Sequence, residues 1–285
     1  MNQNGLHRRP IPAPGARTLL MGIVNVTPDS FSDGGQYTTA QAAATHARAL
    51  ADAGADVLDL GAESTRPGHD AVDTATELAR LLPALQAIRA VLPDIPVSVD
   101  TYKADVAQAA IEAGADIIND IWGGLHAAGN GASPMCAVAA RFGVPIILMH
   151  NRTHPVDDSV FWETYLDELR HSVGLARDAG VPDSQIWLDP GFGFGKTPAQ
   201  NLECLRQLDR VVALGFPVLL GTSRKSTLGL VLDAPVAARQ EGNTATAVWG
   251  IAHGAAMLRM HDVAATQPAV RMADAIRAGL HWRNE

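Results

Sequence analysis

Polar residues of unusual kinds recur at the ends of apolar runs in this 285-residue chain. Asn25, Asp59, Asp100, Asn119, His150, Asp189, Ser223 and His261 each close a stretch of Val, Ile, Leu or Met. One or two would simply mark a strand's exit into solvent. Eight that include Asp, Asn and His point to a shared site. Asp100, Asn119 and Asp189 offer two carboxylates and an amide, which suit a ligand rich in N–H donors, such as an aminopterin ring. The same oxygens could ligate a divalent metal. Lys225, in the same set of loops, would compete with a metal and favours the heterocycle.

A second chemistry is written in cations. GTSRKSTLG (221–229) follows an apolar run and opens a helix, so Ser223, Ser226, Arg224 and Lys225 gather at a helix N-terminus suited to an anion. RMHD (259–262) puts Arg259 and His261 two apart, on one side of a strand, as a further anion clamp. Arg66, held beside Pro67 in ESTRPGHD (63–70), is another planar fork for phosphate or carboxylate. The loop NVTPDSFSDGG (25–35) is rich in turn formers and carries one aromatic, Phe31, as a closing lid would. GFGFGKT (191–197) is not a Walker loop, because that pattern needs Gly where Pro190 stands. It reads as a glycine-rich loop with Phe192 and Phe194 available for stacking. His150 reads as structural, Arg152 as solvated, and WETYLDELRHSV (162–173) as an exposed helix face.

The elements that must position these groups alternate. Runs at 19–25, 55–60, 95–100, 115–120, 144–150, 184–189, 216–223 and 257–262 are continuous in Val, Ile and Leu, as strands buried on both faces are. Gly54, Gly114, Gly143, Gly180 and Gly215 precede several of them and predict left-handed helix ends. Ala-rich stretches of helical period lie between, as in 39–54. AGADVLDLGAEST (53–65) is echoed by AGADIINDIWGG (113–124), which suits repeated βα units. The prediction is a single α/β domain, a (β/α)8 TIM barrel over 17–285 behind a flexible tail at 1–16. A doubly wound open sheet is the alternative. In a barrel, all eight polar run-ends meet at one rim.

Composition narrows the partners. Apolar residues make 47% of the chain and charged residues 18%, which excludes disorder. The net charge of −8 argues against nucleic-acid and acidic-membrane surfaces, so any anion must be gripped locally. No apolar run spans a bilayer, and the first residues lack a signal-peptide core. Cys136 and Cys204 read as reduced, buried thiols, so a cytoplasmic location is expected.

Seven segments in order resemble the dihydropteroate synthases of folate biosynthesis: 21–35, 54–68, 96–101, 114–121, 188–197, 221–226 and 257–263. The departure is MHNRTHP (149–155), which lacks the usual Gly of MH-x-x-G, and the stretch 123–133 is longer than usual. The resemblance implies a barrel, commonly a homodimer. It implies condensation of 6-hydroxymethyl-7,8-dihydropterin pyrophosphate with 4-aminobenzoate, with Mg2+ as cofactor. Carried onto this chain, it implies pterin binding by Asp100, Asn119, Ile121, Met149, Asp189, Phe194, Gly221 and Lys225. Asn25, Thr65, Arg66, Arg259 and His261 would hold the pyrophosphate, with Asn25 also on the metal. Phe31, Thr65, Arg66, Pro67 and Ser226 would surround the aminobenzoate, and Asp100, Lys225, Arg259 and His261 would be catalytic. A methyltetrahydrofolate-dependent methyltransferase and an idle pterin-binding paralogue are the rival readings.

Overall fold

The chain's computed structural model describes residues 9–15, 17–26, 36–63, 71–129 and 131–281. Eight parallel strands alternate with helices. They are β1 (Leu19–Asn25), β2 (Val57–Gly61), β3 (Val97–Asp100), β4 (Ile117–Asp120), β5 (Ile146–Met149), β6 (Ile186–Asp189), β7 (Leu219–Leu220) and β8 (Met257–Met260). Between them lie α1 (Gln36–Asp52), α2 (Thr74–Val91), α3 (Ala104–Glu112), α4 (Pro134–Phe142) and α5 (Phe161–Asp178). After β6 come α6 (Pro198–Arg206), the short α7 (Asp209–Val212), α8 (Ser226–Leu232), α9 (Gln240–Ala252) and, last, α10 (Val263–Ala278).

The sheet order is β6-β5-β4-β3-β2-β1-β8-β7. The gap between its ends is bridged by Leu188 and Val218, with Leu188 N donating to Pro217 O at 3.0 Å. The barrel is therefore closed, and the open doubly wound sheet is excluded. The run 216–223 contributes only Leu219–Leu220 to a ladder. Pro217 has no N–H to give, which shortens β7.

Helix starts and stops follow local chemistry. Ser133 caps α4 by accepting from Cys136 N, Pro134 takes the first turn, and Gly143 ends the helix at φ 62°. Thr197 and Gln200 form a reciprocal capping box on α6. The expected left-handed glycines before strands are all found, at Gly54, Gly114, Gly143, Gly180 and Gly215.

Two cores result. One lies between strands and helices; the other fills the barrel's amino-terminal half with Leu19, Met21, Val57, Ile117, Ile147, Trp187, Leu219 and Met257. Ile11, within the stretch read as tail, packs against that inner plug, and Arg9 pairs with Asp116. Among the described residues no helix is long and apolar enough to cross a membrane.

Candidate active site at the carboxyl rim of the barrel

Strand side chains alternate, so the residues two and four beyond the inner plug also point inward. Register settles which ones they are. Ile23 pairs with Asp59, Asp59 with Ser98, and Ser98 with Ile117. Asn25 pairs with Gly61, Gly61 with Asp100, and Asp100 with Asn119. Met149 pairs with Asp189, and Arg259 with Met21. The barrel interior is thus apolar at one end and carries the polar run-ends at the other. Gly61 and Gly221 occupy inward places without a side chain, so neither adds bulk at the rim. A Cβ at Gly61 would stand 3.5 Å from both Asn25 Oδ1 and Asp100 Oδ2, and one at Gly221 would stand 4.0 Å from Asp189 Oδ2.

Arg259 organises one side. Its Nε donates to Asp59 Oδ2 and its Nη2 to Asp100 Oδ2, each at 2.6 Å. Asn119 Nδ2 donates to the same Asp59 oxygen at 3.2 Å. Asp59 is fully buried and Asp100 only 5% exposed. The other oxygen of each carboxylate, Oδ1, is buried with no hydrogen-bond partner. Burial outweighs the Arg259 charge and pushes the Asp100 carboxyl up to about 7, with Asp59 repelling in the same direction. Arg259 loses by burial but gains more from the two carboxylates, so its affinity for a proton rises.

The opposite side is built by β6 and β7. Asp189 Oδ1 accepts from Gly191 N at 2.7 Å, and burial raises its carboxyl above the ordinary range. Lys225 places its ammonium 3.9 Å from the centre of the Phe194 ring. Burial, then the nearby Arg259 charge, pulls the Lys225 amine down to about 7. The preceding Arg224 is left-handed at φ 62°, a conformation rare outside glycine, and its carbonyl is held by Arg239 Nη1 at 3.0 Å. On β8 and beyond, His261 Nδ1 stands 3.0 Å from Ser223 Oγ. Ser226 is the exposed first residue of α8, and Ile121 and Met149 are buried beside the rim.

The structure therefore gathers Asn25, Asp100, Asn119, Ile121, Met149, Asp189, Phe194, Gly221, Lys225, Arg259 and His261 around one mouth. Phe31, Thr65, Arg66 and Pro67 lie outside the described residues. Three readings change. Phe192 is 1% exposed in the core and is unavailable for stacking. The Arg152 side chain is 7% exposed rather than solvated, bound through Nε to Glu168 at 2.7 Å. The helix segment 162–173 buries Tyr165, Leu166, Leu169 and Val173, so only part of it faces solvent.

Asp59 was visible as a run-end but not as the group that fixes both Arg259 and Asn119. The available signal was its inward parity, two residues before Gly61. Among the described residues no cluster of three His, Cys, Asp or Glu could hold a metal.

Comparison with known proteins defines the class first. Residues 21–261 match the family described as pterin binding enzyme. The chain is 49% identical over 263 residues to the dihydropteroate synthase of Clostridium beijerinckii, covering 92% of this chain and 95% of the relative. The dihydropteroate synthase of Clostridium difficile, solved in the presence of pteroic acid, superposes with a TM-score of 0.88 at 45% identity, covering 93% and 98% of the two chains. That of Xanthomonas albilineans, solved with 4-aminobenzoic acid, gives 0.84 at 42% identity, covering 92% and 94%. The chain belongs to the dihydropteroate synthase family, whose members are transferases.

Proposed function

We propose that this rim condenses 6-hydroxymethyl-7,8-dihydropterin pyrophosphate with 4-aminobenzoate, releasing pyrophosphate and 7,8-dihydropteroate. The carrying observation is the juxtaposition of acceptors and cations across one mouth: Asp100 and Asn119 on one wall, Asp189 and Lys225 on the other, with Arg259 between. Relatives crystallised with pteroic acid and 4-aminobenzoic acid support the substrate class. They also set the methyltransferase reading aside.

Asn119 commits its amide N–H to Asp59, so its Oδ1 is the atom left to accept a pterin N–H. The free Oδ1 of Asp100 is a second acceptor. Lys225 faces the ring's carbonyl edge, and Ile121, Met149 and Gly221 bound its faces. Arg259 and His261 hold the pyrophosphate, with Thr65 and Arg66 assigned to it by resemblance. Phe31, Thr65, Arg66, Pro67 and Ser226 are assigned to the aminobenzoate on the same ground.

In the reaction the bond from the pterin methylene to the pyrophosphate oxygen breaks and its electron pair leaves with the pyrophosphate. Arg259 and His261 neutralise that growing charge. The cationic methylene is delocalised into the pterin and stabilised by Asp100. The amine of 4-aminobenzoate then forms the new C–N bond and passes its proton to the departed pyrophosphate. Asn25 Oδ1, above the bare Gly61, offers one neutral oxygen and would help to hold a Mg2+ beside the pyrophosphate. When bound, that ion screens the leaving group.

A second copy of the chain is the proposed protein partner. Leu230 and Val231 on α8, Trp249 on α9, and Met272 and Ile276 on α10 expose 47–68% of their surface on adjoining helices. Trp249→Glu is expected to give monomers in sedimentation where the wild type gives dimers. Cys136 and Cys204 are both free thiols, which fits a reducing cytoplasm. Pyrophosphate release that requires both substrates and Mg2+ together tests the reaction; no release under those conditions refutes it, and pterin binding without release is the signature of an idle paralogue.

A further inference from the structure

One buried ammonium ties the loop after β6 to the loop after β5. Lys196 is 8% exposed, and its Nζ donates to His150 Nδ1 at 2.8 Å and to the carbonyl oxygens of Gly191 and Phe194 at 3.0 Å each. The His150 carbonyl oxygen stands further off at 3.5 Å, so the three short contacts use all three protons of the ammonium. Because Nδ1 of His150 accepts, the ring proton sits on Nε2 and is donated to Glu168 Oε2 on α5 at 2.8 Å. Arg152 Nε binds the same oxygen at 2.7 Å. His150 is one residue past the inward-facing Met149, and so points through the barrel wall toward α5 rather than into the mouth.

The loop that Lys196 holds runs hard against its neighbours. Gly191, Gly193 and Gly195 are left-handed at φ 66°, 86° and 54°. A Cβ at Gly191 would be 1.8 Å from His150 O, and one at Gly195 would be 2.2 Å from Arg152 O. This folding turns the carbonyls of Gly191 and Phe194 toward one point, where the ammonium satisfies them. The same two residues aim the site: Gly191 N holds Asp189 Oδ1 at 2.7 Å, and the Phe194 ring carries the Lys225 ammonium at 3.9 Å.

We propose that Lys196, held by His150, is a positioning residue for the heterocycle half of the site, clamping the glycine loop so that Asp189 and the Phe194–Lys225 pair face the ligand. The inference rests on the pterin reading above. Burial brings the Lys196 amine down to about 8. The groups that face it are His150, Arg152, Glu168 and Tyr165, with Cys204 from α6 and Asp189 from β6. Burial first, then the Lys196 charge, lowers the His150 imidazole to about 4, so it is neutral at physiological pH.

Lys196→Met keeps the unbranched chain out to the ε position and removes the donors. Calorimetry with 6-hydroxymethyl-7,8-dihydropterin is expected to show at least tenfold weaker binding than the wild type. The KM for the pterin pyrophosphate is expected to rise in parallel while that for 4-aminobenzoate stays within twofold. Nitrogen-15 spectra are expected to show the His150 pKa rising from about 4 toward its ordinary value. A wild type that does not bind the pterin refutes the pocket reading. A wild type that binds and a variant that binds within twofold of it refutes the clamp, as does an equal rise in both KM values. Where Lys196→Met does not fold, His150→Asn and His150→Leu decide. Asn keeps an acceptor for the ammonium and is expected to bind within threefold of wild type, Leu at least fivefold weaker; equal affinities overturn the proposal.

Discussion

Arg259 and Lys196 are two cations at the same rim, the first partly and the second almost wholly covered, and they are held in opposite ways. Arg259 sits between the carboxylates of Asp59 and Asp100, and its charge is reinforced. Lys196 has a neutral imidazole and two carbonyls as partners, and burial weakens its hold on a proton. At about 4 Å a unit-charge pair is worth about 4 kcal/mol at an effective dielectric of 20, several times the net value of an ordinary hydrogen bond. Carboxylate partners commit a cation to remaining charged, ready for an anion that can take over part of its coordination. Dipole partners commit a cation to a shape. The first arrangement suits a residue that meets substrate; the second suits one that holds a loop.

The comparison breaks most readily at Arg259. Arg259→Ala removes the cation and strands two buried carboxylates, so two losses are expected together. Turnover efficiency, kcat/KM, should fall by about a thousandfold, roughly 4 kcal/mol of transition-state stabilisation. Unfolding free energy should fall by about 3 kcal/mol in urea, the scale for breaking a buried pair. A loss of only tenfold in kcat/KM would put Arg259 beside Lys196 as a positioning group and dissolve the distinction.

Asp100 separates charge from stability in the opposite sense. Asp100→Asn should lower kcat by about a hundredfold, because a neutral amide stabilises the methylene cation poorly. Its effect on folding should have the other sign. The Asp100 carboxyl lies at about 7 in the folded protein and near 4 in an unfolded chain, so the folded state binds more protons between those limits. The stability it supplies is present at low pH and lost as pH rises through 7. Asp100→Asn should therefore raise the denaturation midpoint relative to wild type at pH 8 and lose that advantage at pH 4. A variant less stable than wild type at pH 8 would mean that Arg259 needs this carboxylate more than burial penalises it.

Much of this was legible in residue types. The run LLMGIVN coincides with β1, and the polar run-ends Asn25, Asp100, Asn119 and Asp189 all came to the rim. Continuous aliphatic runs read well because a strand buried on both faces has no competing pattern. What was hidden depends on closure. Asp59 meets Asn119 and Arg259, 60 and 200 positions away, and only the barrel brings β2, β4 and β8 to one point. Phe192 and Arg152 depart from the reading of their residue types because exposure is set by neighbours, for Arg152 those on α5. Lys196 was visible within GFGFGKT, yet nothing local to that loop names His150 as its acceptor, 46 residues earlier.

The smallest expected effect sharpens the dipole-held side. Its partner His150 titrates at about 4 when folded and near 6.5 when unfolded, so the unfolded chain binds the extra proton between those values. Stability from this site is complete above 6.5 and is lost as pH falls toward 4, by at most about 3 kcal/mol at 1.36 kcal/mol per unit. Below that, Glu168 continues the loss. Burial works to raise its carboxyl, but the His150 and Arg152 hydrogen bonds prevail and hold it at about 2. Urea midpoints measured from pH 7 to pH 4 should therefore fall more steeply in the wild type than in His150→Asn, which has nothing to protonate in that window. Parallel curves would mean that His150 gains its proton without leaving the fold, and that Lys196 gives up its acceptor cheaply. The two cations would then differ in partners but not in how firmly they are held.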